Sequence, residues 1–275
     1  MKNVIVKSLS LLTLFAFSMA QADVMLVDSI TTGGNNSNTS SYTFSSTGYS
    51  VAETGNNNML VVFYSAYGEG GGSDPTLTSA SFGGVNLNIA ASATAYDGFE
   101  ATTSILYMKE SDFASISGSD LVFTRSGASN GDRGVQYGIM TLSGVDQSTP
   151  IGDFGGDSAD FDPTPISVEL TGLSSGGLII SSFTGNAADN ASSIGSLVNV
   201  DATLATLNNN LLSSLFGSTD ITGTSETVGA TFTADYSGDR SAMVSVEFIA
   251  IPEPSSLLMM LSAVMAGVLV FRRRN

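Results

Sequence analysis

The 275-residue chain contains no cysteine, no histidine and no tryptophan, and it has nine basic residues against 25 acidic ones. Without cysteine there is no disulfide framework, no thiolate metal site and no thiol nucleophile. Without histidine the commonest general base and metal ligand is missing, which excludes Ser-His-Asp hydrolysis and most zinc chemistry. The lack of tryptophan weakens any platform for stacking sugar rings. Between Asp23 and Ile251 the only cations are Lys109, Arg125, Arg133 and Arg240. They stand against 24 carboxylates, a formal charge of −20. Such a body repels phosphate backbones, so nucleic acid is excluded as a partner. Solubility and self-repulsion outside a cell account for the charge. A loose affinity for divalent cations is the more specific alternative.

The two ends carry the long apolar runs. Met1 to Ala22 begins with Lys2 and Lys7, continues through Leu9 to Met19 and ends in Ala20-Gln21-Ala22. This order predicts a secretory signal peptide over residues 1–22, with the mature chain starting at Asp23. At the other end, Ser255 to Phe271 is uncharged and rich in Leu, Met, Val and Ala. As a helix it would span roughly 25 Å, the short end of a bilayer core. Arg272, Arg273 and Arg274 follow directly, and cations in that place stay in the cytoplasm, which puts the body outside. A buried C-terminal helix is the bland alternative, disfavoured by the three arginines.

Pro252-Glu253-Pro254 precedes the run, and two prolines around one residue hold an extended, accessible segment. Together, Pro252, Glu253, Pro254, the apolar span and Arg272 to Arg274 resemble the tripartite PEP-CTERM sorting signal of Gram-negative bacteria. The resemblance covers the tail alone. It implies a membrane-embedded exosortase as partner, transient inner-membrane anchoring through the helix, removal of the tail, and delivery to the cell surface or extracellular matrix.

Between the ends the pattern is that of an all-β domain over residues 23–250. Met59 to Tyr67 is a nearly unbroken β-branched and aromatic run bounded by turn residues, which predicts a central strand buried on both faces. Ser79 to Ala90 predicts a hairpin around Gly83-Gly84. Further strands are expected at Asp23–Ile30, Tyr42–Phe44, Thr103–Met108, Leu121–Thr124, Gly134–Leu142, Val168–Leu170, Gly177–Phe183, Thr227–Ala234 and Ser241–Ile249. Ten to twelve such strands argue for one antiparallel β-sandwich or jelly roll. Thr31 to Ser41 reads as a polar loop and Gly68 to Pro75 as a flexible one. Leu204, Leu207, Leu211, Leu212 and Leu215 are spaced as one helical face, with Asp201 placed to cap it, so a short helix is favoured there. Asn208-Asn209-Asn210 argues for the alternative, a loop with two strands. No internal repeat of fixed period is visible.

Asp153, Asp157, Asp160 and Asp162 form the densest acidic patch, on a segment read as a Gly-rich loop. They supply hard oxygen ligands of the kind calcium takes. The spacing departs from the EF-hand loop, and a solvated acidic loop is the favoured reading. Paired carboxylates are the one catalytic option left, yet spacing in sequence places no two at a glycosidase separation, so no catalytic residue is assigned. Among the eight tyrosines, Tyr64, Tyr67 and Tyr107 fall in strand patterns. Tyr96, near Asp97 and Glu100, is the expected exposed aromatic for a sugar.

These readings favour a non-enzymatic structural or adhesive protein of the cell surface or extracellular matrix, associated with exopolysaccharide or biofilm. The alternatives are a carbohydrate-binding module for the matrix polymer and a carboxylate-based glycoside-active enzyme.

Overall fold

The run Met59–Glu69 is a single eleven-residue strand, β4, and the reason lies in its alternation. Met59, Val61 and Phe63 enter one apolar core, while Leu60, Val62, Tyr64 and Ala66 enter another on the opposite face. A strand apolar on both faces needs a layer on each side, and the chain supplies them. The computed structural model describes residues 23–36, 39–51, 54–69, 76–96, 99–126, 131–160, 165–186, 196–208, 212–231 and 240–252. Met1–Ala22 and the chain beyond Pro252 lie outside the described residues, as does the proposed membrane helix. Among the described residues no helix is long and apolar enough to cross a membrane. Asp23–Ala250 is one compact unit.

The first half of that unit contains β1 (Met25–Leu26), β2 (Thr31–Asn35), β3 (Ser41–Phe44), β4, β5 (Leu77–Phe82), β6 (Val85–Asn86), β7 (Asn88–Tyr96), β8 (Phe99–Lys109), β9 (Leu121–Arg125) and β10 (Gly131–Ser143). The second contains β11 (Ile151–Asp160), β12 (Ile166–Thr171), β13 (Leu178–Asn186), β14 (Ser196–Val198), β15 (Ala202–Asn208), β16 (Leu212–Asp220), β17 (Ser225–Thr231) and β18 (Arg240–Phe248). All the pairings between these strands are antiparallel. The inner sheets run β1-β10-β4-β8-β7, with β2 also on β10, and β11-β18-β13-β16-β15; the outer sheets run β3-β9-β5-β6 and β12-β17-β14.

These two lists are the same list. If β1 with β2 counts as the first strand and β5 with β6 as the fourth, both halves read 1-8-3-6-5 over 2-7-4. That is a jelly-roll order in which strand five stays beside strand six. The register repeats as well. Met59 lies opposite Leu142 and Lys109, and Leu178 lies opposite Phe248 and Asp220. Three residues further along, strand five bulges in both halves, between Ile89 and Ala91 and between Thr203 and Ala205. The expected single sandwich is therefore two jelly rolls, and a duplication invisible as a sequence repeat is plain in the topology.

The inner sheets face each other. Met59, Val61, Phe63, Ile105, Met140 and Leu142 of one meet Leu178, Ile180, Phe216, Val244, Val246 and Phe248 of the other in a shared core. Phe63 and Phe216 stack with centroids 4.4 Å apart, and Thr103 and Ser182 hydrogen-bond at 2.6 Å across the same seam. Each outer sheet covers the far side of its inner sheet, giving four layers with a large core in each of the three gaps, and a small fourth cluster of Tyr67, Ala95, Ala101 and Leu212.

Two expectations are corrected. The stretch 201–216 is not a helix: Ala202–Asn208 forms β15 and residues 212–216 the first part of β16, with residues 209–211 outside the described set. Leu215 and Phe216 go to opposite faces of the inner sheet, the two-residue alternation of a strand. Their burial between layers outweighs the helical spacing of the leucines. Thr31–Ser41 is not wholly loop, because Thr31–Asn35 pairs with β10. Its glycines permit this, since a Cβ at Gly33 would come 2.5 Å from the Tyr137 hydroxyl.

Candidate functional site

The acidic segment is the first place to look, and most of it is a strand. Asp153 and Asp157 sit on β11, not on a loop, because Gly152, Gly155 and Gly156 bring its backbone close to its neighbours. A Cβ at Gly152 would collide with the Glu247 carboxylate; at Gly155 it would meet Val168 at 2.8 Å, and at Gly156 it would meet Ala93 at 3.0 Å. Asp153 Oδ2 accepts the Thr171 N–H at 2.7 Å, and Asp157 Oδ2 accepts that of Ser167 at 3.0 Å. Both carboxylates thus bind the backbone of β12. Asp160 ends β11, with its side chain outside the described residues, as is the whole of Asp162. Among the described residues no three His, Cys, Asp or Glu side chains are grouped to hold a metal ion. Of the sorting-signal residues, Pro252 is exposed, and Glu253, Pro254, Arg272, Arg273 and Arg274 lie outside the described set. Tyr64 and Tyr67 are fully buried, and the Tyr96 side chain is not among those described.

A cleft that sequence reasoning missed lies at one end of the first jelly roll. Two connections build it: the described residues 45–51 and 54–58 between β3 and β4, and residues 110–120 between β8 and β9, the latter opening with a 3-10 helix, Glu110–Ser115. They are tied to each other and to the β5–β6 turn. The Ser46 N–H donates to Asp120 Oδ1 at 2.8 Å, and Thr47 Oγ1 donates to the Ser119 carbonyl at 2.9 Å. The Gly55 and Asn58 amides both donate to the Glu110 carboxylate. The Ser117 N–H donates to the Gly83 carbonyl at 2.9 Å. Gly83 has φ +55°, and a Cβ there would meet Ile116 at 2.5 Å, so glycine alone allows the turn to close on this loop.

The cleft is open to solvent, with a volume of about 660 Å³. Tyr49, Phe82 and Phe113 lie at its base, all three buried in the core beneath. Val51 and Ile116 add apolar side chains to the lining, and Ser50, Thr54 and Ser119 add hydroxyl-bearing ones. Tyr49 is anchored from below: its hydroxyl donates to Asp28 Oδ2 at 2.8 Å and also meets Thr141 Oγ1. Burial, with a smaller contribution from Asp28, pushes the Tyr49 hydroxyl far above its ordinary range, so it stays protonated and fixed. The signal available in sequence was an aromatic and a valine, Tyr49 and Val51, set alone in a polar connection.

The corresponding end of the second jelly roll holds a smaller cleft of about 400 Å³, bordered by Asn199, Asp201, Asp220 and Glu226. Asn199, with φ +58°, lies in the turn that leads from β14 to β15. Here Asp201 Oδ2 accepts the Asp220 N–H at 2.7 Å, and Glu226 Oε1 accepts the Thr222 hydroxyl at 2.8 Å. The two jelly rolls thus carry clefts at equivalent positions with different chemistry.

Comparison with known proteins adds nothing on the β domain, since no curated protein and no solved structure matches the chain. The tail is different. Residues 250–274 match the PEP-CTERM protein-sorting motif, and the chain carries that sorting signal at its C-terminal end.

Proposed function

We propose that the chain is an exosortase-sorted extracellular protein whose paired jelly rolls serve, without catalysis, as a structural or adhesive component of an exopolysaccharide or biofilm matrix. The observation that carries this reading is the match of residues 250–274 to the PEP-CTERM sorting motif, which begins directly behind β18. That motif implies an exported protein handled at the membrane by an exosortase. The final destination and the adhesive role are the proposal. Two features support a structural role. The central inner strands β4 and β13 are apolar on both faces and the two inner sheets share one core, and the acidic body resists collapse onto like-charged neighbours.

The test is the mass and location of the protein in its native host. Loss of the residues after Pro254, recovery in the extracellular matrix fraction, and retention of the uncut chain when the exosortase is deleted are the expected results. An uncut chain found in the cytoplasm would sink the reading. Turnover of released exopolysaccharide by the purified chain would replace it with the enzymatic alternative.

A further inference from the structure

Each jelly roll serves as a control for the other. The second connects its strands two and three with residues 172–177, and its strands six and seven with residues 221–224. The first uses 45–58 and 110–120 for the same two connections, each more than twice as long. The fold therefore closes without the additional residues, and connections longer than a fold requires are where binding functions concentrate. Nor are the described residues of that extra chain slack. Ordering a residue costs about 1–2 kcal/mol of backbone entropy. These loops are nonetheless held by hydrogen bonds from Ser46 to Asp120, Thr47 to Ser119 and Gly55 and Asn58 to Glu110, and from the Glu110 N–H to Gln147. Two long loops fixed against each other around a cleft form a preorganised site.

We infer that this cleft binds a neutral saccharide. The volume of about 660 Å³ falls within the range of roughly 300–1,000 Å³ usual for small-molecule sites. The half-buried Val51 and Ile116 give the cleft an apolar lining above the buried rings of Tyr49, Phe82 and Phe113, and Ser50, Thr54 and Ser119 add hydroxyl-bearing side chains. A sugar ring has the matching halves: an apolar C–H face and a circle of hydroxyls that both donate and accept. Among the described residues no cation lines the cleft. The nearby carboxylates of Asp120 and Glu110 accept backbone amides of the loop. Anionic sugars meet negative charge with no counter-ion, which selects uncharged ligands. This inference does not rest on the matrix reading, because the loops and the cleft are the same whatever the protein's destination.

The experiment is a calorimetric titration of the full chain with hexasaccharides of β-glucan, galactan and mannan, and with oligogalacturonate as the acidic counterpart. Two variants close the cleft from exposed positions, Ala114→Trp and Thr54→Trp, so that a folding defect in one leaves the other to decide. Thr222→Trp places the same bulk in the acidic cleft of the second jelly roll. Saturable binding of at least one neutral hexasaccharide is expected, with Kd raised by about tenfold or more in either cleft variant. Thr222→Trp should leave Kd unchanged, and oligogalacturonate should bind at least about tenfold more weakly. The inference is overturned if no neutral hexasaccharide saturates, if both folded cleft variants bind as the parent does, if Thr222→Trp weakens binding equally, or if oligogalacturonate binds as tightly. A failure in the fractionation experiment on the native host would leave this result untouched.

Discussion

Replacing Phe216 with alanine tests whether the two jelly rolls are one thermodynamic body. The Phe216 ring is fully buried and stacks on Phe63, which belongs to the other jelly roll, at a centroid separation of 4.4 Å. Truncating a buried phenylalanine costs about 3–5 kcal/mol, of which an aromatic pair contributes about 0.5–1.5. The chain supplies its own reporter. It has no tryptophan, and of its eight tyrosines all but Tyr236 precede residue 146, so tyrosine fluorescence reports almost wholly on the first jelly roll. Far-UV circular dichroism reports on both. Because the core between the inner sheets draws on both halves, a mutation in β16 should destabilise strands that lie far from it in sequence. Urea denaturation of Phe216→Ala should therefore give coincident fluorescence and dichroism transitions, both lowered by about 3–5 kcal/mol with an unchanged slope. If the tyrosine transition stays in place while the dichroism splits, the halves are independent domains and the reasoning fails. A loss below about 1 kcal/mol would refute the packing argument as well.

Four further outcomes are expected. Gly138→Ala places a Cβ 2.6 Å from Ile30 and 3.0 Å from both the Phe63 and Phe216 rings, and this overpacking should cost about 1–3 kcal/mol by chemical denaturation. Glu247→Ala removes a buried carboxylate that accepts the Asp153 N–H at 3.0 Å and the Ser174 N–H at 2.6 Å. Each orphaned donor should cost about 1–3 kcal/mol, and a thermally neutral variant would show that these bonds carry no stability. Hydrogen bonds from the Ser148 hydroxyl and amide hold the Asp146 carboxyl below its ordinary value of 3.8. A depressed folded value adds stability that is present above the unfolded value and lost as pH falls through the folded one. Below about pH 4 the parent should thus lose stability more steeply than Asp146→Asn, and parallel pH profiles would count against this. Calcium at Asp153, Asp157, Asp160 and Asp162 requires a saturable rise in the thermal midpoint of the chelator-treated chain that Asp157→Asn removes; a flat titration ends that reading.

What a sequence determines is what neighbouring residues can settle among themselves. Met59–Tyr67 shows its double burial directly, because its apolar residues leave no polar face, and the strand takes its place at the centre of the inner sheet. The Pro-Glu-Pro, apolar and arginine parts of the tail form a sorting signal by their order alone, and residues 250–274 match it. The all-β class follows from short strands at regular spacing. The rest depended on partners distant in sequence. Leucines at 204, 207, 211, 212 and 215 satisfy a helical period by coincidence. Two covering layers, which no local window contains, decided that Leu204, Leu207, Leu212 and Leu215 lie on strands. Glycines at 33, 152, 155 and 156 look like loop residues and are in fact the spaces where Tyr137, Glu247, Val168 and Ala93 approach the backbone. The duplication left no periodic trace, since topology constrains burial and pairing but not residue identity. The same holds for the cleft. Tyr49, Phe82 and Phe113 come from three separate connections and strands, and only the closing of the first jelly roll puts them on one floor.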